Sequence, residues 1–465
     1  MSAINTRDPN IPESASAFWF TGATVITMNG DEEPTEAEVL VNNSIIVAVG
    51  RKLADQPELA EVIRSAQHID ASGCILAPGF VDGHRHAWEG QFRRSIADVD
   101  DLAGYVQSTL VEIAPQYQPD DMYIGTRLAA MTAIDSGITS MLDFSHNSRS
   151  AAHSDAAVQA QAEAGIRVVH ASMSPHFGDW DHQWPDDLER LISTYASDLV
   201  SFRVAALPTD EISGPPLVYG EHLAAVSRDL NIGVSVDAIF GDSSSRAILE
   251  WSRKGWLGPH VELIHCTNLQ PDAWSAIASD GATVCLAPTS DAQIGTETAI
   301  PAIDEALAVG IRPSLSVDVE VALASDMFTQ MRALLAIQRM RAISETFGTS
   351  QTPTRIKTFD VLDFATRQGA KTIGLEDTTG KIAVGLAADL ILVSADDINT
   401  MPMNDPIATV VLGADPRNIR AVFVAGKPKK WNGQVLGLDT ARLLDDVVKS
   451  RDSIRQRVAT SKGDA

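Results

Sequence analysis

Short runs of β-branched and apolar residues alternate along most of this chain with stretches whose apolar positions recur every three or four residues. That rhythm predicts a parallel β/α fold. Eight runs read as strands: ILAPGFVDG (75–83), GITSMLDF (137–144), GIRVVHAS (165–172), LVSFRVAAL (199–207), GVSVDAIF (233–240), VELIHCT (261–267), ATVCLAP (282–288) and RPSLSVDV (312–319). Between them, SDAAVQAQAEAG (154–165) and SDMFTQMRALLAIQRMRAI (325–343) read as helices, the first stopped by Gly165. Eight such units close naturally into a (β/α)8 barrel of the TIM type. Outside this region the pattern changes to short strands and tight turns. FWFTGATVITM (18–28), EVLVNNSIIVAVG (38–50) and HIDASGCILA (68–77) lie at one end; AADLILVSAD (387–396) and IRAVFVAGKPKKWNGQVL (419–436) lie at the other. The two pieces are expected to form one composite β-sandwich domain. The resulting division is 1–74 and 381–437 for the sandwich, 75–380 for the barrel, and 438–465 for a C-terminal helix and tail.

Composition narrows the class. With 465 residues, 45% of them hydrophobic, the chain can bury a large core and a satellite domain. Lys and Arg total 36 against 61 Asp and Glu, a net charge of −25, which argues against nucleic acid or an anionic membrane as partner. Three cysteines without a CxxC pair suggest neither a disulfide scaffold nor a thiolate cluster and fit a reducing cytoplasm. The opening MSAINTRDPNIPESASAFW has no basic and apolar leader pattern, and no apolar run is long enough to span a bilayer. A cytoplasmic enzyme acting on a small molecule is expected.

In a barrel of this kind the chemistry collects at the C-terminal ends of the strands. The first strand ends in Asp82-Gly83-His84-Arg85-His86. Alternate residues of a strand share a face, so His84 and His86 present two imidazoles to one cation, while Arg85 points away into a structural salt bridge. The sixth strand ends in His265 and the eighth in Asp318.

The phrase APGFVDGHRH resembles the first barrel strand of the amidohydrolase superfamily, and GKIAVGLAADLILVSAD (380–396) and VFVAGKPKKWNG (422–433) resemble its closing β segment. The overall pattern is similar to the mononuclear branch that contains triazine chlorohydrolases, cytosine deaminase-like enzymes and phenylurea and thiocarbamate herbicide hydrolases. The resemblance implies one divalent ion, zinc foremost, with cobalt, iron or manganese as alternatives. It implies His84, His86 and Asp318 as ligands, Asp318 as the base, and His265 as a group that holds substrate or moves a proton; a histidine merely satisfied within its strand is the other reading. It also implies a homo-oligomer. One departure stands out: the family's strand-five histidine is replaced by Asp237, and the Glu three residues beyond it by Phe240. Asp237 is therefore a candidate ligand, a substrate-facing carboxylate or a helix cap. No lysine lies between Lys52 and Lys254, so a lysine-bridged metal pair is not expected.

These residues predict metal-assisted attack by water on an amide, carbamate, thiocarbamate or urea-type bond. The missing Glu makes deamination or dechlorination of an N-heterocycle the alternative. A metal-dependent decarboxylase, for which Arg203 is a rare cationic candidate, and a ligand-binding homologue without turnover come from other classes. Trp88, His146, His170 and Asp291 are candidates for substrate contact, each with a structural role as the competing reading. The stretch SPHFGDWDHQWPDD (174–187) is either a lid or a packed loop.

Overall fold

The computed structural model describes residues 4–6, 8, 15–30, 33–296, 298 and 300–463; part of the opening segment and the last two residues of the tail lie outside these. Eight parallel strands follow one another in chain order around a single sheet: Phe80–Arg85, Ile138–Ser145, Arg167–Ser172, Val200–Ala206, Gly233–Asp237, Val261–Ile264, Thr283–Leu286 and Ser314–Leu315. The ring closes between its first and last members, where Asp318 N donates to His84 O (3.0 Å) and His86 N donates to Asp318 O (3.3 Å). The expected helices are present as Ala151–Ala164, capped by Gly165 in the left-handed conformation, and Met327–Thr346, capped by the Asp326 side chain.

The run expected as one strand over 75–83 is two. Cys74–Pro78 pairs with Leu390–Ser394 and Thr24–Val25 in a seven-stranded sheet, and the barrel strand begins only at Phe80. Both halves are buried on both faces and so carry no alternation that would mark the break. The crossing is made at Gly79, where a Cβ would lie 2.1 Å from Thr139 Oγ1.

The seven-stranded sheet packs against a five-stranded one that contains Ala17–Thr21, Glu38–Asn42 and Ile45–Gly50. Leu76, Leu390, Leu392 and Phe423 from the first meet Phe18, Phe20, Val39 and Ile69 from the second, with Phe423 edge-on to both Phe18 and Phe20 at 5.2 Å. Alternate residues of the same strands, Ile75, Ala77, Ile391 and Val393, join the barrel core instead. One composite sheet thus holds chain segments from both ends and seals them to the barrel. The last helix, Thr440–Gly463, returns to the other side of the barrel: Ile454 is wholly buried in a cluster with Trp88, Phe92 and Tyr117, Gln91 Nε2 donates to Ser450 Oγ (3.0 Å), and Arg457 pairs with Asp121. No helix among the described residues is long and apolar enough to cross a membrane.

Candidate active site

The C-terminal ends of strands one, five, six and eight bring five side chains to one point. His84 and His86 share a face, with ring centroids 4.6 Å apart. Asp318 Oδ1 lies 3.1 Å from His84 Nε2 and 3.2 Å from His86 Nε2. Asp237, the last residue of strand five, brings Oδ1 to 3.7 Å from His84 Nε2 and 3.9 Å from His265 Nε2. His84, His86 and Asp318, and equally His84, Asp237 and His265, each offer three donor atoms within 4.8 Å of one another.

The backbone is strained where it delivers two of these groups. His265 and Asp318 have φ of 64° and 67°, the left-handed region that non-glycine residues avoid at a cost of about 1–3 kcal/mol each. The turn after strand six is nevertheless held, by His265 N donating to Cys285 O (2.9 Å) and Cys266 N donating to Ile264 O (2.8 Å). Arg85, between the two first-strand histidines, points the other way: its Nε donates to Asp82 (2.7 Å) and its Nη1 to Glu320 (2.8 Å).

The donor chemistry suits a divalent cation. His86 Nδ1 sits 3.1 Å from Phe144 O; donating there, the ring leaves its Nε2 lone pair aimed at the shared point. His265 Nδ1 is 2.8 Å from Asp291 Oδ1, which turns its Nε2 to the same point. Asp237 Oδ1 is buried and makes no hydrogen bond. Burial pulls His86 and His265 down, but Asp318 and Asp291 respectively, with Asp237, overcome this and lift them to about 9 and about 10. Burial alone would raise Asp318; the hydrogen bonds from His84 and His86 hold it well below the usual carboxylate range. A cluster that draws protons this strongly is one in which a metal ion would displace them. Two or three imidazole nitrogens with two carboxylates fit zinc, cobalt, iron or manganese.

The cavity above this point is lined by His86, Asp237, His265 and Asp318, by His146 and His176, and by an apolar wall that includes Leu102, Val106, Leu207 and Ile239. Among the described residues no arginine or lysine lines it, and its only carboxylates are Asp237 and Asp318. Burial keeps both wall histidines neutral: His146 is well below its ordinary value and His176 is at about 3, with the charge on His86 adding to the effect.

Three residues expected at the pocket surface do not line it. Trp88 stands behind His146, edge-on at 5.4 Å, and packs on Tyr117. His170 is wholly buried, 3.6 Å from Asp143 and against Phe202. Asp291 turns from its helix to His265 rather than to the cavity. One lining residue, Tyr105, is not singled out by the sequence, and another, His176, only as a member of the loop read as a lid or a packed segment. His176 stands in the loop 174–187, where its Nδ1 is 2.6 Å from Ser213 Oγ. Tyr105 comes from a short helix after strand one and donates to Glu89 (2.8 Å), a buried carboxyl that its burial raises to about 7. Neither carries a local motif; only the folded path of the two loops brings them here.

Residues 75–429 match the profile of the Amidohydrolase family. A 5-methylthioadenosine/S-adenosylhomocysteine deaminase of Caldicellulosiruptor saccharolyticus is 23% identical over 447 residues, covering 92% of this chain and 96% of that protein. The protein of the same name in Desulfitobacterium hafniense is 26% identical over 449 residues, covering 93% and 98%. Among solved structures, an adenosine deaminase from Xanthomonas campestris with bound zinc matches with a TM-score of 0.79 at 20% identity, over 94% of this chain and 98% of that one. Atrazine chlorohydrolase from Arthrobacter aurescens TC1 complexed with zinc gives 0.79 at 20% identity, over 93% and 100%. The barrel motif, the closing β segment and the match along most of the chain agree: this chain belongs to the amidohydrolase family of hydrolases.

Proposed function

We propose that the protein hydrolyses an amide, carbamate, thiocarbamate or urea-type bond of a small uncharged molecule, with one divalent ion held by His84, His86, Asp237 and Asp318. Zinc is the first choice, because the two solved structures above hold zinc. When bound, the ion supplies Lewis-acid polarisation and lowers the pKa of water from about 15.7 toward about 7. Asp318, beside His84 and His86, would accept the proton of the attacking water and return it to the leaving nitrogen or sulfur. His265, whose Nδ1–H is held by Asp291, would donate from Nε2 in its doubly protonated form to the carbonyl oxygen as negative charge develops on it. His146 and His176, both neutral, offer hydrogen bonds to the substrate without demanding a charge from it. The three cysteines are buried and form no disulfide among the described residues, which suits a reducing cytoplasm.

The observation that carries this reading is that no carboxyl beyond the two at the metal is among the described residues lining the cavity. Protonating a ring nitrogen during deamination calls for an acid beyond those at the metal. The cavity's described carboxylates are Asp237 and Asp318 alone. The residue at the family's Glu position, Phe240, instead caps the helix Gly241–Lys254 from a left-handed conformation. The lack of an arginine or lysine among the described residues lining the cavity speaks against a decarboxylase. Deamination of an N-heterocycle is the second reading, supported by the names of the relatives.

The test is to incubate the zinc- or cobalt-loaded enzyme with an N-aryl urea, an N,N-dialkyl thiocarbamate, an adenosine-type nucleoside and an aminotriazine, following amine, thiol and ammonia release. Amine or thiol release from the first pair supports the proposal. Ammonia from the second pair alone overturns it in favour of the deaminase.

A further inference from the structure

A second cavity opens at the opposite end of the barrel, and it holds a buried charge without a proper partner. Arg203 lies in strand four, its side chain 7% exposed. Each of the other buried arginines makes at least two hydrogen bonds. Arg85 donates to Asp82 and Glu320. Arg167 donates to Asp389 at 2.7 Å and to Asp198 O at 2.6 Å. Arg149 reaches the carbonyls of Ala114, Asp179 and Phe177 at 3.0, 3.0 and 2.8 Å. Arg203 makes no hydrogen bond among the described residues, and its Nη1 is buried without a partner. Glu262 Oε2, its ion-pair partner, is 3.6 Å away and already accepts from Ser235 Oγ at 2.6 Å. At 3.6 Å the pair has charge attraction without a hydrogen bond. Nη1 is the atom turned to Glu262; Nε and Nη2 likewise make no hydrogen bond among the described residues but are not fully buried, so a group in the cavity that meets these donors would be well held.

The surroundings are shaped to the guanidinium. A Cβ at Gly233 would lie 2.7 Å from its Nε, and one at Gly374 would lie 3.0 Å from its Nη2, so neither position has room for a side chain. In front of it is a cavity of about 810 Å³. Ile192, Leu230, Ile232 and Pro259 give it apolar walls, and Arg228 and His260 are its other basic residues. Although the chain carries a net charge of −25, no carboxylate lines this cavity among the described residues. Strand four runs from Val200 at this cavity toward Leu207 at the catalytic one, so the two open at opposite ends of the barrel.

We propose that this cavity is a second binding site, for a small organic carboxylate whose anionic head meets Arg203 and whose apolar body lies along Ile192, Leu230 and Ile232. A volume of this order accommodates a small molecule, and a carboxylate is the planar partner a guanidinium fork takes best.

Benzoate is the probe, titrated calorimetrically into the metal-loaded full-length protein, with benzamide as the uncharged control of the same shape. The expected result is saturable binding of benzoate, at least about tenfold tighter than benzamide, a difference worth about 1.4 kcal/mol. Arg203→Gln removes that preference. Ala196→Trp, at an exposed lining position away from the barrel core, blocks the cavity and abolishes binding with an unchanged melting temperature; it decides alone should Arg203→Gln fail to fold. Asp237→Ala leaves benzoate binding intact, which separates this site from the metal centre. Equal affinity for benzamide, no saturable heat, or binding that survives Ala196→Trp overturns the proposal.

Discussion

At the residue scale, the site rests on ring nitrogens that other groups keep pointed at one place. Asp291 is the clearest case: it touches His265 Nδ1 at 2.8 Å, does not line the cavity, and so turns Nε2 toward the reacting group. Asp291→Asn should therefore retain the metal while kcat falls on the order of 10–100-fold with KM little changed, as steady-state kinetics and metal analysis together would report. Asp237 is held to a different standard. Its unpartnered Oδ1 faces two histidines. Asp237→Ala should lower the metal bound per chain, measured by plasma mass spectrometry, and cut activity by on the order of 10²-fold. Full metal content in that variant would dismiss Asp237 as a ligand, and Asp237→His should restore the metal. His84 and His86 were legible because two residues of one strand fix their own relative direction. The facing of Asp291 and the depth of His170 were not, because each depends on what a neighbouring element packs against it.

At the scale of elements, the eight barrel runs were legible as strands because each is short, apolar and rich in β-branched residues. Their ends were harder. VELIHCT reads as strand through Thr267, yet the strand stops at Ile264 and the chain turns left-handed at His265 and Cys266. No glycine marks that turn; the tertiary hydrogen bonds that hold it are invisible in local sequence. The break at Gly79 was missed for the opposite reason, since residues on either side are buried alike. Its function is steric. Gly79→Ala should destabilise the protein by about 1–3 kcal/mol through overlap with Thr139, read as a lower urea midpoint. Thr139→Ala in the same chain should recover part of that loss, whereas two independent effects would simply add.

For the whole molecule, closure of the barrel and stability in acid are one property. Glu320, beyond the last strand, accepts from Arg85 of the first strand (2.8 Å), from Arg93 (2.7 Å) and from Ser325 (2.7 Å). Burial would raise its carboxyl, but Arg93 and Arg85 bring it from 4.5 down to about 2. A depressed folded pKa means that the stabilisation is complete above about pH 4.5 and disappears as pH falls toward about 2; the shift corresponds to about 3 kcal/mol. Glu320→Gln should thus unfold at lower denaturant than the native chain at pH 7, and the gap should narrow below pH 4.5. A gap independent of pH would mean that shape rather than charge is at stake.

The final helix, Thr440–Gly463, has a consequence for how the molecule is made. Its Ile454 completes the cluster around Trp88 and Tyr117, and Trp88 in turn stands behind His146 at the cavity wall. The partners lie far apart in the chain: Gln91 and Ser450, which join the same helix to the loop after strand one, are 359 positions apart. Neighbouring strands can therefore deliver His84 and His86 while the wall beside them still waits on a contact of high sequence separation, and such contacts form late because the loop they close must first be ordered. The catalytic mouth is thus among the last parts of the barrel to be finished as the chain folds.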